Sequence, residues 1–181
     1  VVLEIDSSIK TKNNLIPQDL TTIIRPGKLL EFINNFLKQE INIAYIYGYK
    51  LSGKTKSVMA CMNDLINKNI YDNILWSDIK QEENQIKQII NTISIFTLSD
   101  KEKLEEDAKK EMCLEFLKSS KSILVLDFNN GIIEEQTLDI LKEIAKHTKI
   151  IIISSNSFKN YEDELDFYTK VFCTNDYIQK D

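Results

Sequence analysis

The sequence predicts an α/β domain, with a parallel sheet of five strands covered by helices on both faces. Three observations predict it. Short apolar runs of strand length alternate along the chain with segments of helical periodicity. Each run is apolar almost throughout, as strands buried on both faces are. Each also closes on glycine or polar residues, where ligands bind in open parallel sheets. The chain has 181 residues, 43% hydrophobic and 28% charged, which suits one sizeable core and is too apolar for a disordered chain.

Residues 1–20, with Pro17, form an entry segment, and residues 21–181 form one domain. From Lys28 to Lys38, Leu29, Leu30, Ile33, Phe36 and Leu37 recur at helical spacing. Ile41–Tyr47 is a β-branched and aromatic run ending at Gly48 and predicts a buried strand. Residues 54–68 predict a helix with Val58, Met59, Met62, Leu65 and Ile66 inward, and Ile70–Trp76 predicts a second strand. Residues 79–96 are helical in pattern, although Ile93, Ile95 and Phe96 also suit an extended end.

Ser99 and Glu102 then form a capping box, followed by Leu104, Ala108, Met112 and Phe116 at every fourth position. Glu105–Lys109 and Glu106–Lys110 have the spacing of i,i+4 ion pairs. Ser122–Asp127 is a third strand, Glu134–His147 a helix, Lys149–Ser154 a fourth strand and Tyr168–Cys173 a fifth.

Charge and composition exclude several classes. A net charge of −5 argues against a nucleic-acid surface in this domain, because phosphate backbones need clustered positive charge. No run approaches the roughly 18 to 20 apolar residues that span a bilayer, so no membrane partner is expected. The start, Val1-Val2, has no basic n-region and does not read as a signal peptide. Cys61, Cys113 and Cys173 are widely spaced and make neither a disulfide framework nor a zinc pattern; a reducing, cytoplasmic setting fits them.

The chemistry is concentrated in Gly48-Tyr49-Lys50-Leu51-Ser52-Gly53-Lys54-Thr55, an ungapped GxxxxGK[ST] phosphate-loop pattern followed by Lys56. Its two glycines are half of the four in the chain. They allow backbone that a Cβ would obstruct, so successive N–H groups converge on phosphate oxygens at a helix N-terminus. Lys54 is placed to reach β- and γ-phosphates, and the Thr55 hydroxyl to ligate Mg²⁺. Such a site needs a carboxylate from a nearby strand end. Asp127, after Ile123-Leu124-Val125-Leu126, is the first choice; Asp78, after Ile74-Leu75-Trp76, is the other. Choosing Asp127 leaves one strand between the loop strand and the acid strand, the spacing of the additional-strand class of P-loop NTPases.

In their order, these motifs resemble the STAND class of signalling NTPases, AAA+ relatives that include NB-ARC and NACHT domains. Ile23–Ile33 is similar to the family's hydrophobic-Gly-Arg entry, with Ile24 where the family has glycine and Arg25 following it. Gly48–Thr55 resembles its Walker A, Asn73–Trp76 the strand that often closes with Trp, Lys121–Asp127 its Walker B and Lys149–Asn156 its sensor strand. The resemblance implies a P-loop three-layer sandwich of strand order 5-1-4-3-2. It also implies ATP or ADP with Mg²⁺ as cofactors, Ile24 and Arg25 on the adenine side, and Asn156 as γ-phosphate sensor. Lys54 and Asp127 are its catalytic candidates, and Thr55 and Asp127 its metal ligands.

The departures set the activity expected. Phe128-Asn129-Asn130 stands where the family commonly places a second acid, so binding should survive while hydrolysis is slow, unless Glu134 or Glu135 swings in. Ser154-Ser155-Asn156 stands where NB-ARC proteins carry a sensor arginine. Three functions fit: an ATP-dependent signalling or assembly switch with protein partners or self-association outside this chain, an initiator-type AAA+ ATPase remodelling DNA, and a non-catalytic nucleotide-holding scaffold. The order of the motifs makes the first the leading reading.

Overall fold

A computed structural model describes residues 27–97 and 105–177 of the chain. The entry segment, Ile24, Arg25, the Ser99–Glu102 capping pair and Leu104 lie outside the described residues. The described elements are α1 (Gly27–Leu37), β1 (Ile43–Tyr47), α2 (Lys54–Asn67), β2 (Asn73–Asp78), α3 (Gln85–Ser94), α4 (Glu106–Ser119), β3 (Ser122–Asp127), α5 (Glu135–Ala145), β4 (Lys149–Ser154), α6 (Glu162–Leu165) and β5 (Thr169–Cys173).

The strands form one parallel sheet in the order β2-β3-β4-β1-β5, which is 5-1-4-3-2 read from the other edge. One strand, β4, separates the loop strand β1 from β3. Because side chains alternate across a strand, each run feeds two cores. Ala44, Ile46, Ile123, Val125, Ile151 and Ile153 face α1 and α2. Tyr45, Leu124, Leu126, Ile150 and Ile152 face α3, α4 and α5. This is the three-layer sandwich expected, and β3, buried at every position, has the sequence of a strand with no solvent face.

Register fixes the working edge. Tyr47 is opposite Ser154 on one side and Cys173 on the other, so the chain segments leaving β1, β4 and β5 emerge side by side. Asp127 is opposite Ile153 on β4 and Asp78 on β2. Odd-numbered residues of β3 face α2, so Asp127 projects on the side of the loop helix while Phe128 turns into the opposite core.

The differences from expectation are local and have physical causes. β2 is shifted toward the C-terminus of the expected Ile70–Trp76, because its ladder with β3 runs through the polar Ser77 and Asp78, while Ile70 stays exposed. The long helical pattern over 79–96 contains a helix only at Gln85–Ser94, begun by Asn84, whose side chain accepts the Lys87 N–H at 2.8 Å; Ile79 instead pairs its N–H with Asp127 O at 2.8 Å.

On α4 the buried positions are Cys113 and Leu117, with Met112 exposed. The residues of the expected i,i+4 pairs reach neighbouring helices instead: Lys110 pairs with Glu143 at 2.8 Å and Glu106 with Lys87 at 3.6 Å, while Lys118 pairs with Glu115 within α4. Among the described residues no helix is long and apolar enough to cross a membrane.

One buried polar atom gives a stability test. Thr137 Oγ1, in the first turn of α5, is fully buried and has no hydrogen-bond partner among the described residues. Replacing an unpaired buried hydroxyl with a methyl of the same shape removes its desolvation cost. Thr137→Val should therefore raise unfolding free energy by about 1 kcal/mol in urea titrations; a loss of stability would show that the hydroxyl is paired in solution.

Candidate functional site

The loop between β1 and α2 turns around its own lysine. Lys54 is the first residue of α2, only 6% exposed. Its Nζ donates to Gly48 O at 2.8 Å, Tyr49 O at 2.7 Å and Ser52 Oγ at 3.2 Å. Those three bonds use every N–H of the ammonium. Two residues in the left-handed region let the loop close this way, Leu51 at φ 65° and Gly53 at φ 79°. A leucine in that region costs roughly 1–2 kcal/mol, and its side chain is 95% exposed, so it recovers little by packing.

Gly48, at φ 150°, is required for a different reason. A Cβ there would lie 1.9 Å from Thr174 Oγ1 and 2.8 Å from Asn175 Oδ1. The chain leaving β5 thus presses on the start of the loop.

The loop encloses a hollow of about 290 Å³. The segment from Lys50 to Lys56 forms one wall, and Asp127, Asn129, Asn130 and the β4 end from Ile153 to Ser155 the other. Across it, Thr55 Oγ1 donates to Asp127 Oδ2 at 2.6 Å, and Asn129 N–H donates to Asp127 Oδ1 at 2.9 Å. Thr55 and Asp127 therefore present a hydroxyl and a carboxylate at one point, hard oxygen donors of the kind Mg²⁺ takes. Burial pushes the Asp127 carboxyl above the usual carboxylate range, against the Thr55 and Asn129 hydrogen bonds that lower it. Burial likewise lowers the Lys54 ammonium from the usual lysine range, and Asp127 acts in the opposite sense.

The loops after β3 and β4 are joined. Ser155 N–H donates to Asn129 O at 2.7 Å, and Asn156 Nδ2 donates to Gly131 O at 2.7 Å and Asn130 O at 3.3 Å. Asn156 thus ties the Asn130–Gly131 turn rather than lining the hollow. Gly48 and Tyr49 hold Lys54 from behind, and Lys50, Leu51, Ser52, Gly53, Lys54, Thr55, Lys56 and Asp127 border the hollow.

Asp78 does not line the hollow; its Oδ1 accepts the Trp76 Nε1–H at 3.1 Å. Glu134 and Glu135 are exposed and do not line it either. Asp127 is the one carboxylate among its described lining residues. Sequence reasoning missed Asn129, Asn130, Ser154 and Ser155 as wall residues; their signal was position, directly after two strand ends at the same sheet edge. It also missed Thr174 and Asn175, which have no pattern that could have found them.

Comparisons with known proteins bear on the family and the fold. A family model described as the NB-ARC domain matches residues 27–155. Among solved structures, Cdc6p from Pyrobaculum aerophilum is similar at TM-score 0.59 and 14% identity, over 92% of this chain and 48% of that one. Drosophila ORC bound to DNA is similar at TM-score 0.53 and 11% identity, over 82% of this chain and 88% of that one. Drosophila ORC bound to AT-rich DNA and Cdc6 gives 0.53 and 12%, over 82% and 53%. At these identities the likeness is one of fold, and this chain spans about half the length of the Cdc6p chain. No curated protein sequence matches.

The Asp127 site is built at the expense of stability, and pH reveals it. A carboxyl whose pKa is raised in the fold stabilises it fully when protonated and loses that contribution as pH rises through the raised value. Ionising this desolvated carboxyl as pH rises costs the fold stability. Asp127→Asn should therefore melt at a higher temperature than wild type at pH 7.5, with the difference shrinking as pH falls through the carboxylate range. A difference independent of pH would contradict this.

Proposed function

The chain belongs to the NB-ARC domain family, and on that premise we propose that it is an ATP-binding switch that hydrolyses its nucleotide slowly. It is a nucleotide-binding P-loop domain with an AAA+-related fold. The observation that carries the finer reading is the convergence of Lys54, Thr55 and Asp127 on one hollow. A polyphosphate entering it meets the amides of the loop, the positive end of α2 and an ammonium already stripped of water. Lys54 exchanges its bonds to neutral loop acceptors for bonds to anionic phosphate oxygens, which is favourable because both partners are then charged. Thr55 and Asp127 hold Mg²⁺, which neutralises phosphate charge when bound. The family resemblance assigns Ile24 and Arg25, which lie outside the described residues, to the adenine side, and with them ATP or ADP as the nucleotide.

Slow hydrolysis follows from what borders the hollow. An attacking water must lose a proton to a base within hydrogen-bond reach. Phe128, the residue after Asp127, is 1% exposed and belongs to the core. Asn129 and Asn130 can orient a water but cannot take its proton. Asn156 and Ser155 connect the far wall to the turn after β3, so a terminal phosphate that displaces Asn129 or Asn130 would move Asn156 with them. This is how Asn156 senses the terminal phosphate in this proposal, indirectly and through Gly131. Output passes to a protein partner or a second copy, through regions outside this chain. The net charge of −5 disfavours DNA as that partner.

Nucleotide titration by calorimetry tests this. Wild type should bind ATP more tightly with Mg²⁺ than with EDTA, and Lys54→Ala should bind at least about tenfold more weakly, from lost charged hydrogen bonds. Asp127→Ala should erase the Mg²⁺ dependence. Turnover should be slow and unchanged by DNA. Equal affinity in Lys54→Ala would sink the site assignment, and DNA-stimulated turnover would favour the initiator-type ATPase.

A further inference from the structure

The residues directly beyond β5 make contacts that neither the phosphate site nor the fold requires of them. Asn175 Oδ1 accepts the Tyr49 N–H at 2.7 Å, across 126 residues of sequence. Thr174 Oγ1 and Ser52 Oγ lie 3.1 Å apart, across 122 residues. Both targets are residues that hold Lys54: Tyr49 through its carbonyl and Ser52 through its hydroxyl. Each side of the lysine clasp is therefore pinned from outside by one residue of the final 3₁₀ turn, Thr174–Tyr177. The fit is close, because only the missing Cβ of Gly48 leaves room for Thr174 Oγ1.

All three N–H groups of the Lys54 ammonium are engaged, so a phosphate oxygen must replace at least one acceptor. The Ser52 bond is the longest of the three, at 3.2 Å against 2.8 and 2.7 Å. It is the weakest and the first to yield. Ser52 Oγ is also the atom shared with Thr174. Movement of Lys54 toward phosphate is thus felt first at the Ser52–Thr174 contact, at the point where the chain leaves the sheet.

We infer that Thr174 and Asn175 are positioning residues of the phosphate site, holding the first turn of the loop from outside and coupling its occupancy to the chain that follows β5. The inference rests on the nucleotide-binding reading above and adds a route by which that site is read. In this arrangement Asn175 fixes the Gly48–Tyr49 peptide so that the Gly48 carbonyl faces Lys54, and Thr174 fixes the Ser52 rotamer. Removing either leaves the loop more conformations to lose on binding, which lowers affinity without touching nucleotide.

The test uses the whole 181-residue chain, with ADP and ATP–Mg²⁺ as probes. Calorimetry gives affinity, thermal unfolding without nucleotide gives stability, and amide hydrogen exchange is read at Tyr49 and over residues 170–177. Thr174→Ala and Asn175→Ala should each weaken ATP–Mg²⁺ binding about three- to tenfold, the range of one hydrogen bond. Thr174→Ser, which keeps the hydroxyl, should bind as wild type does. Nucleotide should change exchange over residues 170–177 in wild type and less so in Thr174→Ala.

A role confined to stability would lower the unfolding temperature of both alanine variants and leave affinity within twofold of wild type; that result overturns the inference. Thr174→Ser falling as far as Thr174→Ala overturns it too. If wild type binds nucleotide and only the variants fail to differ, the nucleotide reading stands and the coupling alone is lost. If wild type binds neither probe, both are lost.

Discussion

A lysine ammonium held out of water at the end of β1 is the interaction on which the rest of the site depends. A buried cation is tolerated only when its donors are satisfied. Here the donors are satisfied by the loop itself, through Gly48 O, Tyr49 O and Ser52 Oγ. This one requirement explains the path of the loop. It accounts for a leucine at φ 65° with an exposed side chain and for the glycine at φ 79° before Lys54; Gly48 makes room for the residues beyond β5. The same requirement makes the loop a receptor, since an ammonium with loop acceptors can exchange them for stronger, charged ones.

The sheet supplies the second half of the site by register alone. Strand order puts β4 between the loop strand and β3, so Asp127 stands across the hollow from Thr55, and strand alternation aims it toward α2. Alternation also sends Phe128 into the opposite core. The hollow thus holds a carboxylate at Asp127 and no second acid directly after it. In the proposed function, that single step along the chain is what separates nucleotide binding from turnover.

Much of this was legible in the amino acids, for reasons that differ by element. β3 and β4 were clear because strands buried on both faces leave uninterrupted apolar runs. The loop was clear because glycine is scarce here and the GxxxxGK[ST] spacing is rigid. β2 was misplaced because Ile70, exposed in the turn, extends the apolar run, whereas the ladder continues through Ser77 and Asp78. On α4, Cys113 and Leu117 are the buried positions and Phe116 is partly buried beside them, while Ala108 and Met112 stay exposed, because the helix packs against α3. The braces from Thr174 and Asn175 were invisible, since contacts spanning more than 120 residues leave no local pattern. The bonds from the Asn156 amide to Asn130 and Gly131 were equally invisible, since they join two loops 25 residues apart.

The most direct test of the central claim is a backbone amide NMR titration of the isotopically labelled chain with ADP–Mg²⁺. The account predicts that amide signals from Leu51 to Lys56 shift first and saturate together, with Asn129 following through Asp127. Unshifted loop amides at millimolar nucleotide, or shifts centred away from the β1–α2 turn, would contradict it.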